Sequence, residues 1–68
     1  MEYKYGKWFI ERYDYEDGSR FYFNEGDDKF YLPRSMATPY DTQYLAKAVA
    51  ERFKDTYAYS YRVRFFEL

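Results

Sequence analysis

The chain has 68 residues, a formal net charge of −1, and neither cysteine nor histidine. Disulfides, thiolate chemistry and the usual zinc sites are therefore excluded, as is the general basic field of a nucleic-acid-coating protein. Aromatic residues make up 28% of it (eleven Tyr, seven Phe, one Trp), more than one domain of this length can hide, so some rings are expected on the surface.

In chain order, Met1 to Tyr5 is polar and aromatic with no apolar run behind it, so no signal peptide is expected. With no apolar run long enough to span a membrane and no cysteine, the expected compartment is the cytoplasm. Lys7 to Tyr15 is rich in β-formers, and Phe21-Tyr22-Phe23 follows the turn residues Glu16-Asp17-Gly18-Ser19. Asp-Gly between two such runs predicts a hairpin, because a tight turn needs positive φ. Taken as a two-residue loop, Asp17-Gly18 sets Asp14 opposite Phe21, Arg12 opposite Phe23 and Ile10 opposite Glu25. Trp8, Ile10, Phe21 and Phe23 then share one face; Phe9, Glu11, Tyr13, Tyr15 and Tyr22 share the other. A one-residue bulge would exchange the two sets.

A second turn at Asn24 to Asp28 leads into a short third strand, Lys29 to Leu32, which Pro33 stops. Thr38-Pro39-Tyr40-Asp41 reads as a helix start with Thr38 as cap, or Asp41 as a later cap. On the wheel Leu45, Ala46, Val49, Ala50 and Phe53 form the buried stripe, while Tyr40 and Tyr44 fall on the outer face. The last segment, Tyr57 to Phe66, alternates: Tyr57, Tyr59, Tyr61, Val63 and Phe65 against Ala58, Ser60, Arg62, Arg64 and Phe66. The first set is the better core face, since the second carries two arginines.

The sum is a single α+β domain over residues 1–68: a three-stranded antiparallel meander, one helix packed on one sheet face, and a C-terminal fourth strand (β-β-β-α-β). A right-handed crossover from the third strand predicts a fourth strand parallel to the first and third, in the order 4-1-2-3. The expected core is Trp8, Ile10, Phe21, Phe23, Leu45, Val49, Phe53, Tyr61, Val63 and Phe65.

Chemistry finds little support. Ser19, Ser35 and Ser60 lack a base or an elbow motif, and enzyme activity is not expected. The turn acids (Asp14, Glu16, Asp17; Glu25, Asp27, Asp28) are oxygen donors of the kind calcium or magnesium takes, but their spacing is not that of an EF-hand and they suit the turns. No cofactor is expected. The face away from the helix carries Phe9, Tyr13, Tyr22, Tyr31, Arg62, Arg64 and Phe66. Rings beside arginine fit a protein interface, a single-stranded nucleic-acid platform, or cross-strand aromatic pairing with arginine stems laid over the rings.

Trp8 to Phe23, Met36-Ala37 through Ala50, and Tyr59 to Leu68 give a hairpin with a Tyr-rich second strand, an Ala-containing helix and a strand of alternating aromatic and basic residues. This layout resembles small proteins encoded by phages and mobile elements, inhibitors of host defence (anti-CRISPR proteins) among them. The resemblance implies a non-enzymatic inhibitor that blocks or modulates a partner protein, of host or phage. The expected contacts are Tyr13, Tyr22, Arg62, Arg64 and Phe66, with Tyr40 and Tyr44 as a second pair. The alternatives are a single-stranded nucleic-acid-binding module and a homodimer whose aromatic faces pack together.

Overall fold

The computed structural model describes residues 5–67, so the expectations for residues 1–4 and for Leu68 lie outside the described part. Strand β1 is Gly6–Asp14, β2 Arg20–Asn24 and β3 Lys29–Tyr31; a 3-10 turn at Arg34–Met36 precedes helix α1, Gln43–Ala50, and β4 is Tyr59–Glu67. The four strands form one antiparallel sheet in the order β3-β2-β1-β4, with α1 on one face. This is the expected α+β class and strand order.

The first turn is longer than a two-residue loop. Arg12 pairs with Phe21 and Tyr13 with Arg20, where the sequence reading set Arg12 against Phe23. The Asp14 carboxylate accepts the Glu16 N–H and the Asp17 carboxylate accepts the Ser19 N–H, each at 2.9 Å, and Gly18 takes φ +74°. These side-chain-to-backbone bonds stabilise a wider loop than Asp-Gly alone would make. The register moves by two, and because side chains alternate with period two, both faces keep their expected residues.

β4 runs antiparallel to β1 along its whole length, Gly6 opposite Glu67 and Asp14 opposite Tyr59, which corrects the expected parallel direction. The cause lies in the segment after β3. Thr38 N–H donates to the Phe23 carbonyl at 3.0 Å, and Tyr40 forms a two-bond antiparallel bridge to Trp8 at 2.8 Å each way. The chain thus returns to the N-terminal end of β1 before the helix begins. α1 then makes the climb along the sheet, and β4 comes back down. The crossover links the Tyr40 bridge to β4, which are parallel to one another, rather than β3 to β4.

The same segment corrects the helix start. Pro39 precedes the Tyr40 bridge rather than a helix, and Thr42 is the cap, its Oγ1 accepting the Leu45 N–H at 3.1 Å. Tyr40 therefore lies outside the helix and is buried, its hydroxyl donating to Glu25 at 2.9 Å.

The core is built on Ile10, Phe23, Tyr40 and Ala46, with Trp8, Phe30, Val49, Ala50, Phe53 and Val63 packed around it. Phe23, Phe30 and Phe53 meet pairwise with centroids 5.0–5.1 Å apart, and Tyr61 stacks on Phe53 at 5.3 Å. Leu45, expected in the core, is exposed, and Ala46 beside it is the helix residue pressed against the sheet. Arg12 occupies the remaining corner of this face, its guanidinium over the rings of Tyr59 (4.4 Å), Phe21 (4.7 Å) and Phe30 (5.0 Å).

Candidate functional site

Alternation along four antiparallel strands assembles the sheet face opposite the helix. β1 contributes Phe9, Glu11 and Tyr13, β2 Arg20 and Tyr22, β3 Tyr31, and β4 Arg62, Arg64 and Phe66. Among the described residues α1 packs on the other face, yet the middle of this one is sealed: Glu11 is 0% exposed, Phe9 6% and Tyr22 9%.

Glu11 is the centre. Arg62 Nε donates to Oε1 and Arg64 Nη1 to Oε2, each at 3.0 Å; Tyr22 Oη donates to Oε2 at 3.2 Å. Arg20 Nε stands 3.8 Å from Oε1. A carboxylate buried in this way keeps its charge only when paired and hydrogen-bonded, and here four side chains from two neighbouring strands meet that need. Register explains the convergence: Glu11 is directly opposite Arg62 on β4 and Tyr22 on β2. Burial, and then the Glu11 charge, raise the Tyr22 phenol above its ordinary pKa.

The rings around this centre are covered as well. Phe66 packs edge-on against Phe9 (5.7 Å) and Tyr22 (5.9 Å). The Arg34 guanidinium, brought by the 3-10 turn, lies 3.9 Å from the Phe66 centroid, and that of Arg64 lies 4.9 Å from it. Arg20 lies over Tyr13 at 5.1 Å. The arginines reach solvent most: the side chains of Arg62, Arg20 and Arg64 are 59%, 49% and 36% exposed.

Of the expected contacts, Tyr13, Tyr22, Arg62, Arg64 and Phe66 are brought together on one face. Tyr22 is corrected from a surface contact to a buried support, because its ring is roofed by Phe66 and its hydroxyl is used by Glu11. Tyr40 and Tyr44 do not form a pair: Tyr40 is core, while Tyr44 stands alone at 79% exposure. Glu11, Arg20 and Arg34 were not singled out from the sequence. The alternation already places Glu11 on the arginine face; its role needs the antiparallel β1–β4 register. Arg34 lies outside any strand pattern.

The turn acids serve structure. Asp27 accepts the Tyr31 hydroxyl at 2.6 Å, which raises the Tyr31 pKa, and Asp28 pairs with Arg52 at 2.7 Å. Among the described residues no group of three potential metal ligands forms, and no helix is long and apolar enough to cross a membrane. Comparison with protein-family models, curated proteins and solved structures finds no match to the chain. Fold and face together define a small α+β protein with an arginine-framed carboxylate on its open sheet face.

Proposed function

We propose that this chain is a non-enzymatic binding protein that docks an acidic surface of a partner protein against its arginine-bearing sheet face. The observation that carries this is the charge imbalance around Glu11: three guanidiniums converge on one buried carboxylate. The cluster keeps a surplus of two positive charges in a chain whose net charge is −1. Guanidiniums fixed by a buried partner lose little freedom on binding, and their planar forks suit carboxylates. Single-stranded nucleic acid fits less well, since base stacking needs open ring faces, and here Phe9 and Tyr22 are buried while Tyr13 and Phe66 lie under arginine. A face-to-face homodimer would oppose two positive clusters.

Occupying a partner's surface is how the phage-encoded inhibitors that the layout resembles act, and a cytoplasmic inhibitor of this kind, free of cysteine and catalytic groups, is the role we assign. The test is capture from a lysate of the encoding host or its phage-infected form, with wild type and the Arg62→Gln/Arg64→Gln protein immobilised side by side. Acidic proteins should be retained by wild type, released by salt and lost from the variant. Equal retention by both proteins, or retention abolished by nuclease treatment, overturns the proposal.

A further inference from the structure

The edge of β4 shows how such a partner would be held. β4 is the last strand of the sheet, and its hydrogen-bonding phase follows from Trp8. Both main-chain groups of Trp8 are used by Tyr40, so they point away from β4. Trp8 stands opposite Phe65, Ile10 opposite Val63 and Arg12 opposite Tyr61. In an antiparallel pair, residues opposite one another that do not exchange hydrogen bonds direct their N–H and C=O groups to the outer edges. Tyr61, Val63 and Phe65 therefore present their main chain along the free edge of the sheet.

The beginning of that edge is closed. Tyr59 C=O accepts the Thr56 N–H at 2.8 Å, Tyr59 N–H donates to Thr56 Oγ1 at 3.1 Å, and Tyr61 N–H donates to the Asp55 carboxylate at 2.9 Å. Beyond Tyr61 N–H, no strand or helix of the described residues pairs with the edge. On the helix side it borders an open groove of about 500 Å³ lined by Lys47, Ala50, Glu51, Tyr61, Arg62 and Val63. On the other side stand the exposed guanidiniums of Arg62 and Arg64.

We infer that the Val63–Phe65 edge takes an extended acidic segment of the partner protein as a fifth strand. The inference rests on the protein-binding function proposed above and names how the partner binds. Main-chain hydrogen bonds to Val63 and Phe65 supply the attachment. Alternation in the incoming strand sets its acidic side chains beside Arg62 and Arg64 and its aliphatic ones over the groove. A second copy of this chain is the wrong occupant. Antiparallel self-pairing centred on Val63 puts Arg62 opposite Arg64 of the copy, and centring on Arg64 puts it opposite itself. Arginines placed so guard the edge against self-association while leaving it open to acid.

The test uses a short synthetic peptide alternating Glu and Val, titrated into the isotope-labelled protein. Expected are slowed exchange and shifted resonances for the Val63 and Phe65 amides. Affinity should fall about tenfold or more when the peptide nitrogens that pair with the edge are methylated, the loss of roughly one hydrogen bond. Val63→Pro should abolish binding and keep the β1–β4 ladder, because the Val63 N–H is not part of that ladder; the core packing it loses should lower stability. If that variant does not fold, the methylated peptide reads the same bonds.

Peptide binding that depends on Arg62 but leaves both amides unprotected, or that tolerates methylation, overturns strand addition while leaving the arginine face standing. Absence of peptide binding overturns it too, and the capture comparison then reports on the arginine face independently. Protection of both amides without peptide, at the mass of a dimer, assigns the edge to a second copy and also overturns it.

Discussion

Glu11 and Tyr22 face each other across β1 and β2, the Tyr22 hydroxyl donating to the Glu11 carboxylate at 3.2 Å with both side chains sealed from water. The pair sits on the sheet face opposite α1. That face is a second, polar-centred core rather than a bare aromatic surface, and its arginines are held from beneath. The consequences can be measured.

Removing the buried carboxylate removes the anchor of the cluster. Glu11→Ala should destabilise the protein by about 3 kcal/mol, the low end for a broken buried ion pair because the guanidiniums reach water. Glu11→Gln keeps an acceptor for Tyr22 and should cost about half as much, since charge-assisted bonds are roughly twice as strong as neutral ones. Urea denaturation of the three proteins checks the order; equal midpoints for wild type and Glu11→Ala would show that the cluster contributes nothing.

Charge reversal on this face is not a clean surface change. Arg62→Glu would set a second carboxylate against buried Glu11 and should destabilise by roughly 2 kcal/mol or more, as an attraction turns to repulsion and the Glu11 carboxylate, itself sealed from water, loses a partner. Arg62→Gln, on a side chain 59% exposed, should cost less than about 1 kcal/mol. Thermal unfolding of the two variants should separate them, and binding experiments should therefore use the glutamine variant.

Alkaline pH should unfold the protein through its buried phenols. Burial and the Glu25 contact raise the Tyr40 pKa, and burial and Glu11 raise that of Tyr22. The folded state keeps these protons where the unfolded chain, titrating at about 10, loses them. Their contribution is complete below the unfolded value and is lost as pH rises through the folded ones. Tyr40→Phe should lower stability at neutral pH by about 1 kcal/mol through the lost hydrogen bond and move the alkaline transition upward. Tyrosinate absorbance and circular dichroism followed together test this; an unmoved transition would contradict it.

Gly6 allows β4 to close on β1. A Cβ there would collide with the Phe66 carbonyl oxygen and the Phe65 ring. Gly6→Ala should force the last residues of β4 away and cost about 1–3 kcal/mol, the range for an added methyl in a packed site. The check is faster amide exchange at the Gly6 end of the β1–β4 ladder with the rest of the sheet unchanged.

Much of this was legible in the residues. Alternation from Trp8 to Tyr13 and from Tyr59 to Phe66 assigned both faces correctly. The assignment survived a wrong turn length because a register shift of two leaves facing unchanged. The Ala46, Val49, Ala50 and Phe53 stripe placed the helix against the sheet. Thr38-Pro39 misled, because a cap residue followed by proline starts a helix just as well as it starts an extended bridge. That one ambiguity displaced Tyr40 and reversed β4.

The periods of the sequence thus determined which residues share a face, since alternation needs only the local geometry of a strand or helix. Which acid lies beneath which arginine was decided by tertiary structure alone. Glu11 and Arg62 are far apart in the chain and meet only because the Tyr40–Trp8 bridge sends the helix up and β4 down. The β1–β4 register turns the Val63 and Phe65 main chain to the open edge. Direction and register of non-local strands are settled by such long-range hydrogen bonds, which no window of sequence contains.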